Sequence, residues 1–163
     1  MATRNGVYYT DRGEGDISIL FLHFYGGSSD TWKEVIKILS PTFRCVAIDL
    51  YGFGNTETPE NEITVSLQTE LVLQMINDLH LENYMLIGHS MGGKIAMSVA
   101  SRQPAGLKGL VLIAPSPPTP EPIKDRAALR KAFGDRTELE KMVQKLTVDP
   151  LGTNVPVPLR TTA

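Results

Sequence analysis

The 163-residue sequence predicts an α/β fold, a parallel sheet with flanking helices. Four short apolar runs, at residues 17–22, 43–50, 84–87 and 107–114, are typical of strands that are buried on both faces. Between these runs, apolar residues recur at the three- and four-residue spacing of an α-helix. Strict alternation of strand and helix indicates parallel strands that are joined by right-handed crossovers.

The N-terminal half provides the first three strands and one helix. Its strands are predicted at residues 7–10, 17–22 and 43–50. The helix between the last two is predicted to bury one apolar face, made of Trp32, Val35, Ile36 and Leu39. A polar loop at residues 51–62 follows the third strand.

The next stretch repeats the alternation. Thr64 is the predicted N-cap of a long helix. Apolar residues recur in that helix every four positions, at Leu67, Leu71, Met75 and Leu79. The strand at 84–87 leads directly into a helix at 90–102, and the last strand follows at 107–114. We therefore expect one core domain over residues 1–115.

Beyond the core the composition changes. Five prolines between residues 115 and 122 predict a stiff linker. Two amphipathic helices, at 123–133 and 138–146, are expected to form a partial helical cap within residues 116–149. Residues 150–163 are expected to form an irregular tail.

The amino-acid composition restricts the binding partners and the cellular location that we expect for this chain. The 16 basic and 18 acidic residues nearly cancel and form no basic stripe, so a nucleic acid is not expected as a partner. No apolar run is long enough to span a bilayer, and residues 1–6 lack the apolar stretch of a signal peptide. A membrane is therefore not an expected partner, and the predicted location is cytoplasmic. Cys45 is interpreted as a small buried hydrophobe, and a nucleophilic Cys45 is the alternative.

Residues 88–92, Gly-His-Ser-Met-Gly, form a motif that is typical of a catalytic serine and is here called the serine motif. Between a strand and a helix this motif makes a sharp, strained turn that lifts the Ser90 hydroxyl above the sheet. Gly88 and Gly92 are expected where the two backbones pass close together. The N–H of Met91 is expected to point at a developing oxyanion. A glycine-rich turn without chemistry is the alternative.

Four motifs together resemble the α/β-hydrolase family. They are residues 22–28 (Leu-His-Phe-Tyr-Gly-Gly-Ser), residues 49–54 (Asp-Leu-Tyr-Gly-Phe-Gly), the serine motif, and residues 110–115 (Leu-Val-Leu-Ile-Ala-Pro). The resemblance covers about residues 7–115. It implies an α/β-hydrolase type core that is incomplete at the C-terminus, truncated after the start of the cap, and an esterase-like serine hydrolase.

The resemblance also implies roles for single residues. It makes Ser90 the nucleophile and Tyr25 N–H the second oxyanion donor, although Phe24 replaces the family's usual glycine. It makes His23 and Asp49 residues that hold the active-site loops, with His89 beside the nucleophile. No cofactor is implied. No metal is expected either, because His23, Asp49 and His89 match no known spacing of metal ligands.

The triad that this resemblance requires is incomplete. In this fold an acid and then a histidine follow the serine. The histidines of the sequence are His23, His80 and His89, and none follows Ser90. Glu121 and Asp125 lie where some relatives place the acid. Since a serine without a base is a poor nucleophile, we expect weak or absent turnover from this chain alone.

The predicted function is therefore hydrolysis of an ester or similar small acyl substrate at Ser90. The alternative is a non-catalytic binding or assembly subunit, or one half of a two-chain hydrolase. Such a subunit would form a homo-oligomer, or bind a complementing chain, at the exposed sheet edge near Leu110 and Leu112. A fragment with no function of its own remains a further alternative.

Overall fold

The computed structural model describes residues 2–60 and 62–116. In this part of the chain six strands form one sheet, and three α-helices flank it. The strands are β1 (Ala2–Arg4), β2 (Val7–Arg12), β3 (Ser18–Leu22), β4 (Arg44–Ile48), β5 (Tyr84–His89) and β6 (Leu107–Ile113). The helices are α1 (Lys33–Leu39), α2 (Val65–Asp78) and α3 (Met91–Ser101), and a 3₁₀ turn, Ser29–Trp32, precedes α1.

The sheet is mixed, in the order β1-β2-β4-β3-β5-β6. The four strands β4, β3, β5 and β6 run parallel, which confirms the parallel sheet that the alternation predicts. β1 and β2 add an antiparallel hairpin at one side. The sequence prediction missed β1. Its signal is the Asn5-Gly6 turn, where both residues have positive φ, as a type I′ hairpin requires.

The core lies on both faces of the sheet. On one face α2 and α3 cover the strands, and Leu71, Met75 and Val99 are buried there. Leu67 N–H donates to the Thr64 hydroxyl at 3.1 Å, so the predicted N-cap is confirmed. α3 packs against β3, β5 and β6, and its first turn meets the ends of β3 and β5, where the candidate site lies.

The opposite face packs against α1. Phe21, Trp32, Ile36 and Cys45 form this smaller cluster. The thiol of Cys45 is fully buried, and burial raises its pKa, as expected for a structural residue. The predicted burial of Val35 is wrong, because this side chain is 39% exposed. Trp32, Ile36 and Leu39 form the apolar face of this segment, and Val35 lies at its edge.

The linker, cap and tail predicted for residues 116–149 and 150–163 fall almost entirely outside the described residues. So do Glu121 and Asp125. Across residues 2–60 and 62–116 no helix combines the length and the apolar character that a bilayer crossing needs.

Candidate active site

Ser90 lies at the bend between β5 and α3, where the sequence predicts it. Its backbone angles are φ 53° and ψ −112°, a strained combination for any residue with a side chain. Its N–H donates to the Ile113 carbonyl at 3.0 Å, and its carbonyl accepts from Lys94 N–H at 3.1 Å and from Ser116 N–H at 2.9 Å. The end of β6 and the first turn of α3 therefore hold the strained residue in place.

The glycines of the motif lie where two backbones meet. A Cβ atom added at Gly88 would overlap the carbonyl of Gly92. A Cβ atom added at Gly92 would lie 2.6 Å from the His23 carbonyl oxygen. Since backbone atoms cannot move aside as a flexible side chain does, these positions exclude larger residues, as the motif predicts.

Met91 is the first residue of α3. The first N–H groups of an α-helix have no acceptor within the helix, and the helix dipole places partial positive charge at this end. The N–H of Met91 therefore belongs to a helix end that favours a negative charge beside Ser90.

The loop after β3 is held by the carbonyl of Phe24. This oxygen accepts from His23 Nδ1–H at 2.7 Å and from Gly27 N–H at 3.0 Å. Because the peptide bond is trans, the N–H of Tyr25 points opposite to that carbonyl. The ring of Phe24, which replaces the expected glycine, packs edge-on against His89 with centroids 5.3 Å apart.

His23 is fully buried, and backbone groups occupy both of its ring nitrogens. Nε2 lies 3.1 Å from the Leu50 nitrogen and accepts its N–H. The ring proton is therefore assigned to Nδ1, which donates to Phe24. Burial lowers the pKa of His23, although the bond to Phe24 and the charge of Asp49 partly oppose that shift. His23 is a neutral ring that holds two loops, the structural role implied by the resemblance.

Asp49 follows β4 and is also fully buried. Its Oδ1 accepts from Ser29 N–H at 2.6 Å, and its Oδ2 accepts from Asn55 N–H at 2.8 Å. Gly54 has φ 56°, and a Cβ atom there would overlap the Asp49 carboxylate. One carboxylate thus ties the loop after β4 to the loop after β3.

Two polar residues that the sequence analysis did not single out support the same loops. Gln68 is 2% exposed; its amide donates to the Tyr51 carbonyl at 2.9 Å, and its oxygen accepts from Tyr51 N–H at 3.1 Å. The hydroxyl of Thr56 donates to the Asp49 carbonyl at 2.7 Å. The sequence did contain a signal for Gln68. It is a polar residue on the apolar face of α2, and a buried polar side chain needs a hydrogen-bond partner.

Ser116 was also missed. Its Oγ lies 3.5 Å from Ser90 Oγ, and its N–H binds the Ser90 carbonyl. It lies in the proline-rich segment, between Pro115 and Pro117, and no motif marks it. Its position makes it the hydroxyl that contacts the candidate nucleophile.

The other two histidines occupy different positions. His80 is exposed beyond the end of α2, on the side where β5 begins, about 20 Å along the strand from Ser90. His89 is next to Ser90, with its ring against Phe24. Within the described residues no group of three or more His, Cys, Asp or Glu side chains is arranged to hold a metal ion.

Comparison with known proteins gives a family for this arrangement. The family profile described as alpha/beta hydrolase fold matches residues 17–163. The chain is 32% identical over 111 residues to a pimeloyl-[acyl-carrier protein] methyl ester esterase of Yersinia enterocolitica, covering 68% of this chain and 41% of the relative. It is 35% identical over 94 residues to a 2-succinyl-6-hydroxy-2,4-cyclohexadiene-1-carboxylate synthase of Klebsiella pneumoniae, covering 58% and 36%.

A solved structure agrees with the fold. A thermophilic esterase from Thermogutta terrifontis superposes with a TM-score of 0.69 at 25% identity, covering 86% of this chain and 52% of that one. The chain spans about two-fifths of the length of the curated relatives named above. These relatives include an esterase and a synthase, so the similarity alone does not select one reaction.

Proposed function

The chain belongs to the α/β-hydrolase fold family, and on that basis we propose that it is a serine hydrolase for an ester or similar small acyl substrate. The observation that carries the proposal is the strained, positive-φ backbone of Ser90 at the bend between β5 and α3. Strain at a non-glycine residue persists where the surroundings impose it, and such residues cluster at functional sites. The esterase relative from Yersinia enterocolitica supports the same reaction class.

In the proposed reaction Ser90 Oγ attacks the acyl carbon while its proton moves to a base. The base passes this proton to the oxygen of the departing alcohol. Water then attacks the acyl-serine, which releases the carboxylic acid and returns a proton to Ser90 Oγ. The N–H groups of Met91 and Tyr25 are the proposed donors to the oxyanion. Aromatic rings of Phe24, Tyr25 and Phe53 near these donors favour an apolar acyl or alcohol group.

The chain's own histidines are poorly suited to the role of base. Both ring nitrogens of His23 are engaged with backbone groups, and His80 is a strand's length away. His89 precedes Ser90 in the same tight turn, and its ring packs against Phe24. We therefore propose that this chain alone hydrolyses esters weakly or not at all. What remains is the contribution of the oxyanion donors and binding, about 10³–10⁴ over water in proteins that lack triad members.

A fluorophosphonate probe with added imidazole tests the proposal. Small free imidazole supplies the missing base, so we expect slow labelling without it and faster labelling with it. Mass mapping should place the adduct on Ser90. Ser98 of α3, whose hydroxyl accepts a bond from Thr69 at 2.9 Å, is the control serine and should stay unlabelled. An unlabelled Ser90 at high imidazole would contradict a hydrolase function.

A second candidate function is a subunit that binds a partner chain along β6. Val111 and Ile113 are 40% and 43% exposed, whereas Leu110 and Leu112 pack partly against the core. The apolar surface that supports this candidate is therefore the Val111 and Ile113 face. Sedimentation of the purified chain tests it: a monomer that captures no complementing chain on co-expression would argue against it.

We also propose the predicted cytoplasmic location. Its support is the single, buried Cys45, which suits a reducing compartment. Fractionation of the native host tests the location directly.

A further inference from the structure

An open cavity lies away from Ser90, between β2 and the segment that contains α1. Its volume is about 680 Å³, within the range of about 300–1,000 Å³ that is typical of small-molecule sites. None of its lining residues is part of the serine motif. The residues that matter here are Thr10, Arg12, Asp30, Lys33, Ile36 and Lys37.

The cavity brings together charges from two elements. Thr10 and Arg12 are two residues apart on β2 and therefore share one face of the strand, the face toward α1. Asp11 points to the other face, where it pairs with Arg44 at 2.7 Å. Lys33 and Lys37 are four residues apart on α1, so they lie on the same side of the helix.

The charges around the cavity do not balance. Arg12, Lys33 and Lys37 are opposed there by one carboxylate, Asp30. Among the described residues, the ion pairs within 4.0 Å are those of Arg44 with Asp11 and of Arg102 with Glu70, so none involves a cavity residue. These four charged residues are exposed, so water and salt screen much of the repulsion among the cations, but an anion in the cavity still meets more positive than negative charge.

One wall of the cavity also contains an unsatisfied hydroxyl. Thr10 Oγ1 is buried and has no hydrogen-bond partner in the described part of the chain. Leaving such a group unpaired costs about 1–3 kcal/mol. Thr10 lines the cavity, and a rotation of about 120° about χ1 moves its hydroxyl to another staggered position, from which the O–H can donate to an anionic oxygen.

We propose that this cavity binds a small organic phosphate monoester. Three cations against one carboxylate leave two positive charges, which match a dianion better than a monocarboxylate. The guanidinium of Arg12 suits bidentate contact with two phosphate oxygens, and the two lysines act as point charges. The cavity is larger than a phosphate group needs, and the buried Ile36 gives the organic part an apolar wall. This site is additional to the proposed hydrolase site.

Calorimetric titration with phenyl phosphate tests the proposal on the full chain. Saturable binding is expected, weaker for inorganic phosphate and absent for phenol. Lys33→Gln and Lys37→Gln should each weaken binding about threefold to tenfold. Lys108→Gln, at an exposed lysine of β6, is the matched control and should leave affinity unchanged.

Two further variants distinguish an effect on phosphate binding from an effect on folding and from an effect at Ser90. Thr10→Val removes an unpaired hydroxyl, so it should weaken binding without lowering the melting temperature. Ser90→Ala should leave binding unchanged, so this proposal stands or fails independently of the hydrolase proposal. The proposal is overturned if phenyl phosphate does not bind saturably, if benzoate binds equally well, or if Lys108→Gln weakens binding as much as Lys33→Gln.

Discussion

The Nε2 atom of His23 lies 3.1 Å from the backbone nitrogen of Leu50 and accepts its hydrogen bond. This contact joins the loop after β3 to the residue that follows Asp49. It also engages the lone pair that a catalytic base would use, while Nδ1 binds the Phe24 carbonyl. The histidine nearest to the serine motif across the sheet is therefore part of the loop scaffold.

This arrangement predicts how stability depends on pH. The folded-state pKa of His23 is lowered from 6.5 by burial, so below about pH 6.5 the unfolded chain binds a proton that the folded chain does not. The free energy of unfolding should therefore fall as pH decreases from about 6.5 toward the lower folded-state pKa. Urea unfolding between about pH 7.5 and 5 measures the slope.

The contribution of His23 is isolated by substitution. His23→Gln should be less stable than wild type at neutral pH and should lose this part of the pH slope. His80→Gln, at an exposed position beyond α2, is the control and should keep the wild-type slope. An unchanged slope in His23→Gln would contradict the assignment of a neutral, buried ring.

Asp49→Asn tests the loop anchor. The carboxylate accepts from two backbone N–H groups, of Ser29 and Asn55, and an asparagine side chain offers an oxygen to only one of them. We expect a loss of about 1–3 kcal/mol in the free energy of unfolding. Asp16→Asn, at an exposed residue, should change it by less than about 0.5 kcal/mol. Equal effects of the two substitutions would refute the anchoring role.

Gly92→Ala tests the close approach of strand and helix. The added Cβ would meet the carbonyls of Leu22 and His23, so we expect destabilisation of about 1–3 kcal/mol. Gly109→Ala adds the same methyl group in β6, where it meets the end of the flexible Met85 side chain 2.6 Å away. That control should change stability by less than about 1 kcal/mol. Thermal melts of both variants check the difference.

Gln68→Leu tests the amide that brackets Tyr51. The substitution leaves the Tyr51 N–H and carbonyl without their side-chain partner, at a cost of about 1–3 kcal/mol. Amide exchange at Tyr51 should also become faster. Gln74→Leu, on the exposed face of the same helix, should alter neither quantity. Normal exchange at Tyr51 in Gln68→Leu would mean that the loop is held by other contacts.

The features that were predicted correctly from the sequence follow rules that involve residues close together in the chain. Thr64 caps α2 because its hydroxyl is three residues before a free helical N–H, and Ser90 occupies its bend because glycines flank it at fixed spacing. Both rules act within a few residues. The parallel strands followed from alternation alone.

The remainder depended on contacts between distant residues. Ser116 reaches Ser90 from 26 residues away, and no short pattern encodes that distance. Gln68 and Tyr51 meet because the fold brings α2 against the loop that follows β4. Val35 was misplaced because the apolar period includes it, whereas the packing of α1 buries Ile36 and leaves Val35 exposed.

The central proposal is that Ser90 is a nucleophile for which this chain alone provides no base. Hydrolysis of a short p-nitrophenyl ester by purified wild-type chain and by Ser90→Ala tests this most directly. We predict wild-type acceleration of no more than about 10³–10⁴ over water. Turnover at about 1–10³ s⁻¹, the usual range for enzymes, that is abolished by Ser90→Ala would contradict it.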